Sequence, residues 1–496
     1  MDLGLERVTQ LLEALAPTNV SSTAGSASHV APHLAFPVIH VAGTNGKGSI
    51  CAYLSSILHA AGFRVGRYNS PHLITPRDTI QINNQPISQA DYEFATEIVK
   101  QKDQELNLKA TSFELLTATA FYWFAYGRHQ TKQERVDIAV IEVGVGGRLD
   151  ATNIVPRPLV CVIASIGMDH GALLGNTIEE VTSEKAGIIK PRVPVVIAPQ
   201  SEGEKVYRTL EKKAADVGLS SSMVIKVKAA QWIKTDEVSS SLLAALTPIV
   251  TSAHWAVLEN GFQVPIPLLG DFQLENAATA ITAMNVLRGN VDSVENVSDG
   301  QWVQKITDDV IRKGIKDTIW PGRLQWIENV SSPREVQGRI LVDGAHNPAA
   351  AIALRSFVDE NIASSPDLCP RVHWIMGFTR GKDIEEMFDI LFSKRTNQLE
   401  GSHIQERQDT FSAVEFSPPE GMPWVSPIPA QEVCERLRLQ QERIHSSQQK
   451  DMLVIRGFGN DLKAALEQVG REREGNDIVV LCGSLYLVAD LFRLLE

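Results

Sequence analysis

Lys47 and Ser49 stand in a glycine-punctuated segment, residues 43–49 (GTNGKGS), that could bind and activate phosphate groups. A lysine in such a loop can reach the terminal phosphates of a nucleotide, and a serine hydroxyl can ligate magnesium. Glycines let the backbone approach the phosphates, and the N–H groups and dipole of a following helix favour an anion. Gly48 separates Lys47 from Ser49, so the segment misses the strict P-loop pattern by one residue. An ordinary strand-to-helix turn is the alternative.

Glu142, Asp169-His170 and Lys185 are further candidates for functional residues. Glu142 ends a run that predicts a buried strand, and a carboxylate at the carboxyl end of a parallel strand lies where open α/β sheets bind ligands. Opposite a phosphate loop such a carboxylate binds magnesium, although a solvent-exposed strand end is equally compatible with the local sequence. Asp169-His170 ends another strand, where a lone histidine is more often structural. Lys185 falls in an amphipathic helix, and its local pattern favours a solvated lysine.

The elements around these residues alternate between strands and helices, which predicts an α/β fold with a mostly parallel sheet. In residues 200–265 the pattern weakens to short strands and insertions. It restarts after residue 323, where Asp343 and His346 precede a helix begun by Pro348. We therefore expect two domains, 1–325 and 326–496, with a substrate cleft between them.

Predicted strands are 37–42, 64–69, 136–143, 159–166, 193–198, 338–343, 372–377, 411–416, 452–456 and 477–482. Predicted helices are 47–61, 88–105, 111–127, 177–187, 271–288, 300–316, 348–359, 383–394, 459–469 and 485–495. Residues 79–87 predict a hairpin, and 17–34 and 396–410 predict loops.

Composition narrows the function classes. The 496 residues suffice for about two or three domains, and a net charge of −12 argues against a nucleic-acid or anionic-membrane partner. The five cysteines are scattered without zinc-ligand spacing, which suits a reducing compartment. The N-terminal helix carries Asp2 and Glu6, unlike a transit peptide. We expect a cytoplasmic protein.

Eight segments together resemble the Mur-ligase superfamily, and within it the folylpolyglutamate synthase and dihydrofolate synthase family. They span nearly the whole chain in the family's order, so coincidence does not explain the set. Residues 420–425 (EGMPWV) and the form of the N-terminal helix are similar to the fungal dihydrofolate synthases in particular. The eight segments are VIHVAGTNGKGS (38–49), NSPHL (69–73), TSFELLTATAF (111–121), IEVGVGGRLDATN (141–153), DHGALLGNTIEEVTSEKAGIIK (169–190), WPGRLQ (320–325), DGAHNPAA (343–350) and CGSLYLVADL (482–491).

This resemblance implies a P-loop-type Mur-ligase central domain with a mostly parallel sheet, plus a smaller Rossmann-like C-terminal domain. It implies ATP-driven amide formation between a pteroate or folate carboxylate and the amine of L-glutamate. The carboxylate takes the γ-phosphate of ATP, and the amine then displaces phosphate from the acyl phosphate. The partners implied are these small molecules, with no nucleic acid and no membrane, and the family suggests a monomer.

The resemblance also implies roles for individual residues, with Lys47, Lys185 and His170 as the catalytic groups. ATP binding falls to Thr44, Asn45, Gly46, Lys47, Gly48, Ser49, Gln273, Asn276, Arg323, Asp343 and His346. Two Mg²⁺ sites are implied, with the ligands Ser49, Ser70, Glu142, His170 and a carbamylated Lys185. The pterin or dihydropteroate pocket falls to Phe113, Glu114, Asp150 and Ala151.

The leading hypothesis is a dihydrofolate synthase that joins L-glutamate to 7,8-dihydropteroate. The nearest alternative is a folylpolyglutamate synthase, or a bifunctional enzyme, that adds γ-glutamyl residues to tetrahydrofolate. A P-loop nucleotide hydrolase would not need the second alternating unit. A non-enzymatic pterin-binding protein would not need Lys47, Glu142, His170 and Lys185.

Overall fold

The computed structural model describes most of the chain, in segments separated by gaps. His170 lies outside the described residues, as do most of the predicted loops 17–34 and 396–410. The structure describes residues 4–16, 31–129, 131, 133–169, 171–238, 254–289, 304–328, 339–363, 370–392, 408–444 and 453–495.

The chain divides into two compact units. The first comprises Met1–His72, Pro76–Pro267 and Phe272–Ile319. The second comprises Leu73–Thr75, Leu268–Asp271 and Trp320–Glu496, so it begins ahead of the domain boundary predicted at 325. Among the described helices, none has the length and apolar character that crossing a membrane requires.

The first unit is built on an eight-stranded sheet with the order β4-β3-β2-β5-β1-β6-β7-β8. Strands β2, β5, β1, β6, β7 and β8 run parallel, and the β3–β4 hairpin is antiparallel, as predicted. Its hairpin turn places Asn83 and Asn84 at φ +53° and +65°, the left-handed conformation that such tight turns require. The strands are β1 Val38–Ala42, β2 Val65–Tyr68, β3 Ile80–Ile82, β4 Gln85–Pro86, β5 Ile138–Glu142, β6 Val160–Ile163, β7 Val195–Ile197 and β8 Val224–Lys226.

Helices flank this sheet. Their apolar faces and the strands form two buried clusters, one centred on Phe121, Phe124 and Ile141 and the other on Ile163, Val195 and Leu210. The helices are α1 Glu6–Ala14, α2 Lys47–Ala60, α3 Gln89–Leu106, α4 Ser112–Tyr126, α5 Gly171–Leu174, α6 Ile178–Lys185, α7 Glu204–Asp216, α8 Phe272–Gly289 and α9 Asp308–Lys316.

The carboxyl ends of four neighbouring parallel strands, β2, β5, β1 and β6, meet at one side of this sheet, which we call the carboxyl edge. Register places Val41 of β1 beside Glu142 of β5, and Ala42 beside Ile163 of β6. Strand β1 lies between β5 and β6. The chain leaves β1 toward β2 on one side, and it leaves the neighbouring β6 toward β7 on the other side. This is the topological switch point at which doubly wound sheets bind ligands.

Two predictions for the first unit were wrong in detail. Residues 200–265 contain a helix, α7, and strand β8 of the main sheet, besides a separate antiparallel sheet. That sheet has the order β11-β10-β9, from Gln231–Ile233 (β9), His254–Val257 (β10) and Gln263–Ile266 (β11). Helix α9 begins at Asp308 rather than near 300, because the Thr307 side chain caps it by accepting from the N–H of Val310.

The second unit has a six-stranded sheet with the order β12-β13-β17-β14-β15-β16, parallel except for β12. One helix here, Ala430–Ile444, was not predicted from the sequence. Its strands are β12 Gln325–Ile327, β13 Ile340–Val342, β14 Val372–Met376, β15 Asp409–Ala413, β16 Leu453–Gly457 and β17 Ile478–Cys482. Its helices are α10 Pro348–Ala363, α11 Ile384–Phe392, α12 Ala430–Ile444, α13 Leu462–Glu472 and α14 Leu485–Leu495.

Candidate active site

The phosphate loop connects β1 to α2 and is anchored to the segment after β6. The backbone N–H groups of Thr44 and Asn45 donate to the carbonyl of Ser165, at 2.8 and 3.1 Å. The Thr44 hydroxyl donates to the carbonyl of Gly167 at 2.9 Å. Gly46, at φ +87°, caps the helix that begins at Lys47, and it offers no side chain to satisfy the first N–H groups. Those N–H groups and the helix dipole make this end of α2 suited to bind an anion.

Lys47 and Glu142 lie together at the carboxyl edge. The Lys47 ammonium donates to the carbonyl of Thr44 at 3.2 Å and lies 3.9 Å from Glu142 Oε1. Glu142 is buried, and its other oxygen, Oε2, accepts from Asn69 Nδ2 at 2.8 Å. The structure therefore brings one cation and one carboxylate from distant parts of the chain to the phosphate loop.

A helix from later in the chain contacts the loop through two amides. Gln273 Nε2 donates to the Ser49 hydroxyl at 3.2 Å, and Asn276 Nδ2 donates to Gln273 Oε1 at 3.1 Å. The Asn276 amide lies directly against Gly46, where a β-carbon would clash with its oxygen. Asn276 thus leaves no room for a side chain at this point of the loop.

The oxygen atoms at the carboxyl edge suit a hard divalent cation. The Ser70 hydroxyl is buried and has no hydrogen-bond partner among the described residues. Ser49 follows β1, Ser70 follows β2 and Glu142 ends β5, so two hydroxyl residues and one carboxylate belong to this edge. Such sparse oxygen groups are the kind with which Mg²⁺ retains several waters. The described residues contain no group of three or more His, Cys, Asp or Glu side chains that could hold a metal.

Lys185 is buried, which corrects the solvated position that its local sequence favoured. Only 4% of the residue is exposed, and its Nζ donates to the carbonyl of Gly43 at 2.8 Å. Burial, together with the positive charge of Lys47, lowers the pKa of Lys185 to about 7, while Asp169 and Asp150 oppose the shift. A large fraction of this amine is therefore neutral near pH 7 and able to act as a nucleophile.

The four residues predicted for the pterin pocket differ in their surroundings. Phe113 lies over Gly144, two residues after Glu142, and its ring centroid is 6.4 Å from that of Tyr68. Asp150 is buried and begins the 3-10 helix Ala151–Ile154, so Ala151 lies beside it. Burial raises the pKa of Asp150, against hydrogen bonds from Thr152, Val145 and Gly144.

Glu114 has structural partners in this structure. Its carboxylate accepts from the backbone N–H of Thr111 at 2.7 Å, in a capping box that begins α4. The same carboxylate forms an ion pair of 3.2 Å with Arg7. These contacts supply partners for the buried carboxylate of Glu114.

In the second unit, the sheet brings Arg323, Asp343 and His346 together. Asp343 follows β13 and accepts from the backbone N–H groups of Leu324 and Ala345, at 2.8 and 2.7 Å. Burial raises its pKa, and the neighbouring Arg323 charge opposes that shift. The Arg323 guanidinium lies against Gly344, whose carbonyl is 2.9 Å from His346 Nδ1. Nδ1 therefore carries the proton of that ring.

Two parts of the chain match models of known protein families. Residues 125–284 match the Mur ligase middle domain, and residues 325–494 match the C-terminal domain of dihydrofolate synthetase. The chain is 34% identical to a probable dihydrofolate synthetase of Schizosaccharomyces pombe, over 100% of this chain and 99% of that protein. It is 30% identical to the dihydrofolate synthetase of Saccharomyces cerevisiae, over 100% and 98% of the two chains.

The chain belongs to the dihydrofolate synthetase family. Solved structures support this family assignment. The chain is 27% identical to the structure of E. coli FolC in complex with DHPP and ADP, with a TM-score of 0.68 over 99% of this chain and 93% of that one. A bifunctional folylpolyglutamate synthase/dihydrofolate synthase with Mn, AMPPNP and L-glutamate bound is 26% identical, with a TM-score of 0.68 over 99% and 94%. Membership of the dihydrofolate synthetase family makes the chain an ATP-dependent ligase that forms amide bonds.

Gly46→Ala is expected to weaken ADP binding by about tenfold or more, a loss near 1.4 kcal/mol. The new methyl group would push Asn276 out of place beside the phosphate loop. A positive φ alone costs a non-glycine residue about 1–2 kcal/mol of stability. Gly218→Ala is the matched control, because Gly218 has φ +74° and open space around it. Calorimetric titration with ADP should show the loss for Gly46→Ala only, and equal affinities would contradict it.

Glu142→Gln is expected to raise the magnesium concentration needed for half-maximal activity by about tenfold. The amide keeps the shape of the side chain but loses the negative charge that hard cations prefer. Activity would be titrated against MgCl₂, with the exposed Glu97→Gln variant as control. An unchanged requirement in Glu142→Gln would make Glu142 a structural partner of Asn69 and nothing more.

Proposed function

We propose that this protein is a dihydrofolate synthase, which joins L-glutamate to 7,8-dihydropteroate and converts ATP to ADP and phosphate. The observation that carries this proposal is the convergence of Lys47 and Glu142 at the phosphate loop. The full-length similarity to two fungal dihydrofolate synthetases supports the choice of substrate.

The chemistry requires activation because a carboxylate is a poor electrophile. Its oxygen attacks the γ-phosphorus of ATP, ADP leaves, and an acyl phosphate forms. The glutamate amine then adds to the acyl carbon, loses a proton, and expels phosphate through a tetrahedral intermediate. The positive charge of Lys47 and the N–H groups of α2 stabilise the negative charge that is redistributed during phosphoryl transfer. Glu142 and the carbonyl of Thr44 hold Lys47 in position for this task.

The oxygen groups at the carboxyl edge suit a divalent cation, and on the resemblance we propose two. Ser49, Ser70 and Glu142 would hold one, and His170 with a carbamylated Lys185 would hold the other. When bound, Mg²⁺ neutralises phosphate charge and orients the transferring group. ADP and AMPPNP, the latter with Mn, occupy the related structures, which supports ATP and a divalent cation here.

The surroundings of Lys185 support the proposed carbamylation. A neutral amine attacks the carbon of CO₂, and loss of one proton leaves a carbamate with a single negative charge. Burial and the lowered pKa supply that neutral amine, whereas an ordinary surface lysine is almost fully protonated at pH 7. The modification would replace a buried cation with an anionic oxygen ligand.

The other proposed contacts complete the assignment. Phe113, Glu114, Asp150 and Ala151 would form the pterin pocket, and Glu114 also fixes the start of α4 through its capping box. Asn276, Arg323, Asp343 and His346 would contact the nucleotide. We also propose a monomer in the cytoplasm, on the family suggestion and on the scattered cysteines.

Substrate choice is the point on which the two leading functions differ, and we expect dihydropteroate to be used far better than tetrahydrofolate. A first-glutamate enzyme must place the benzoate carboxylate at the γ-phosphate, whereas an elongating enzyme places a carboxylate one residue further from the pterin. A displacement of about 1 Å can cost ~100-fold in rate. ADP release should be measured with each substrate, in the presence and absence of L-glutamate.

Each outcome of this experiment assigns a function. A preference for dihydropteroate that needs glutamate supports the proposal. Equal catalytic efficiencies would establish a bifunctional enzyme, and a preference for tetrahydrofolate would establish a folylpolyglutamate synthase. ADP release without glutamate or folate would indicate a nucleotide hydrolase, and no release with any substrate would leave a pterin-binding protein.

A further inference from the structure

Asn69 is a buried amide at the carboxyl edge that no part of the reaction described above uses. It follows β2 directly and precedes Ser70, and only 5% of it is exposed. Its Nδ2 donates to Glu142 Oε2 at 2.8 Å. Its Oδ1 is buried and has no hydrogen-bond partner among the residues that the structure describes.

The orientation of this amide is fixed by chemistry. An ionised carboxylate only accepts hydrogen bonds, so the nitrogen of Asn69 must face Glu142 and the oxygen must point elsewhere. Leaving a buried acceptor unsatisfied costs about 1–3 kcal/mol. Two consecutive residues after β2, Asn69 and Ser70, carry such an oxygen, and the Asn69 amide contacts Glu142. Unsatisfied oxygens at this point of the carboxyl edge point to a bound group that provides positive charge or donors.

The charges near Glu142 favour an uncharged side chain, such as the Asn69 amide, as its hydrogen-bond donor. Lys47 lies 3.9 Å from Glu142 Oε1, and the buried Arg67 also interacts with the Glu142 charge. Both cations interact with one carboxylate, and an N–H donor to its Oε2 holds that carboxylate in one orientation. The Asn69 amide supplies that donor on one side and a neutral oxygen on the other.

We propose that Asn69 is a positioning residue for the divalent cation: its Nδ2 orients Glu142, and its Oδ1 is a neutral oxygen acceptor for the hydrated ion. This rests on the cation site of the proposed function. The alternative is a buried structural water that satisfies Oδ1 without any cation. The two differ in whether metal affinity depends on Asn69.

Binding of Mn²⁺ alone to the purified full-length protein tests this, with free Mn²⁺ measured by electron paramagnetic resonance. Asn69→Leu keeps the approximate volume and removes both polar atoms, so we expect about 10-fold to 100-fold weaker Mn²⁺ binding. Asn361→Leu is the matched control, because Asn361 Nδ2 donates to a helix carbonyl, that of Phe357, at 2.8 Å. Wild-type affinity in Asn69→Leu would overturn the inference.

Asn69→Asp keeps the test decisive if the leucine variant does not fold. The new carboxylate would face Glu142 without a cation, so the melting temperature in EDTA should fall. Added Mn²⁺ should then raise that temperature more than it does in the wild type, whereas a structural water would give equal increments and contradict the inference. Glu142→Gln separates the two proposals. If the wild type and this variant bind Mn²⁺ equally, the cation site itself is wrong. If the Asn69 variants bind Mn²⁺ as tightly as the wild type while Glu142→Gln binds it more weakly, the cation site stands and only the role of Asn69 is wrong.

Discussion

Lys47→Ala is expected to lower turnover by at least ~100-fold without unfolding the protein, the scale for losing one preorganised charge at a transition state. Its ammonium lies at the start of α2, held by the carbonyl of Thr44 and by Glu142. The charge acts mainly while the γ-phosphoryl group is in transfer, so substrate binding should change less than turnover.

Steady-state rates with dihydropteroate, ATP and L-glutamate measure this effect. Lys100→Ala, an exposed lysine of α3, is the control for loss of a positive charge. Circular dichroism checks that both variants fold. A Lys47→Ala enzyme with near-normal turnover would exclude the phosphate-loop assignment.

Lys185→Ala is expected to lower activity by about 100-fold, and small carboxylates such as acetate should restore part of it. The variant loses the proposed carbamate oxygen and leaves a space in which acetate can lie. Acetate should not raise the activity of the wild-type enzyme, which serves as the control. Equal effects of acetate on both enzymes would contradict a carboxylate-like role for this side chain.

The pKa of about 7 at Lys185 adds a pH dependence. Below pH 7 the amine is mostly protonated and cannot attack CO₂, and above pH 7 it is mostly neutral. Enzyme depleted of CO₂ should therefore regain activity faster at pH 8 than at pH 6, at equal dissolved CO₂. Clear density for an unmodified lysine, in crystals grown with bicarbonate, would refute the carbamate.

Local sequence was sufficient for the elements that carry the phosphate loop. The apolar run of β1, the glycines after it and the apolar face of α2 lie next to one another in the chain, and the structure has them as predicted. Glu142 was placed at the end of β5 for the same reason. The missed helix Ala430–Ile444 has a helical signal as well, since Ala430, Val433 and Leu437 are buried on one face.

The surroundings of Lys185, Asn69 and Glu114 depend on tertiary packing and could not be predicted from the local sequence. Lys185 looks solvated within α6, but that helix ends against the backbone of Gly43, 142 residues earlier, which buries the amine. Asn69 has no local motif, because its partner Glu142 lies 73 residues away. Glu114 was assigned to the pterin pocket by resemblance, while its contacts with Thr111 and Arg7 become visible only in the fold.

The central claim is that a substrate carboxylate is activated by phosphorylation before glutamate attacks it. Dihydropteroate labelled with ¹⁸O in both carboxylate oxygens tests this directly, by mass spectrometry of the phosphate released during turnover. The carboxylate oxygen that attacks the γ-phosphorus leaves with phosphate when the amine displaces it. The account predicts one ¹⁸O atom in each phosphate formed, dependent on L-glutamate. Phosphate without the label, at the same rate of dihydrofolate formation, would contradict it.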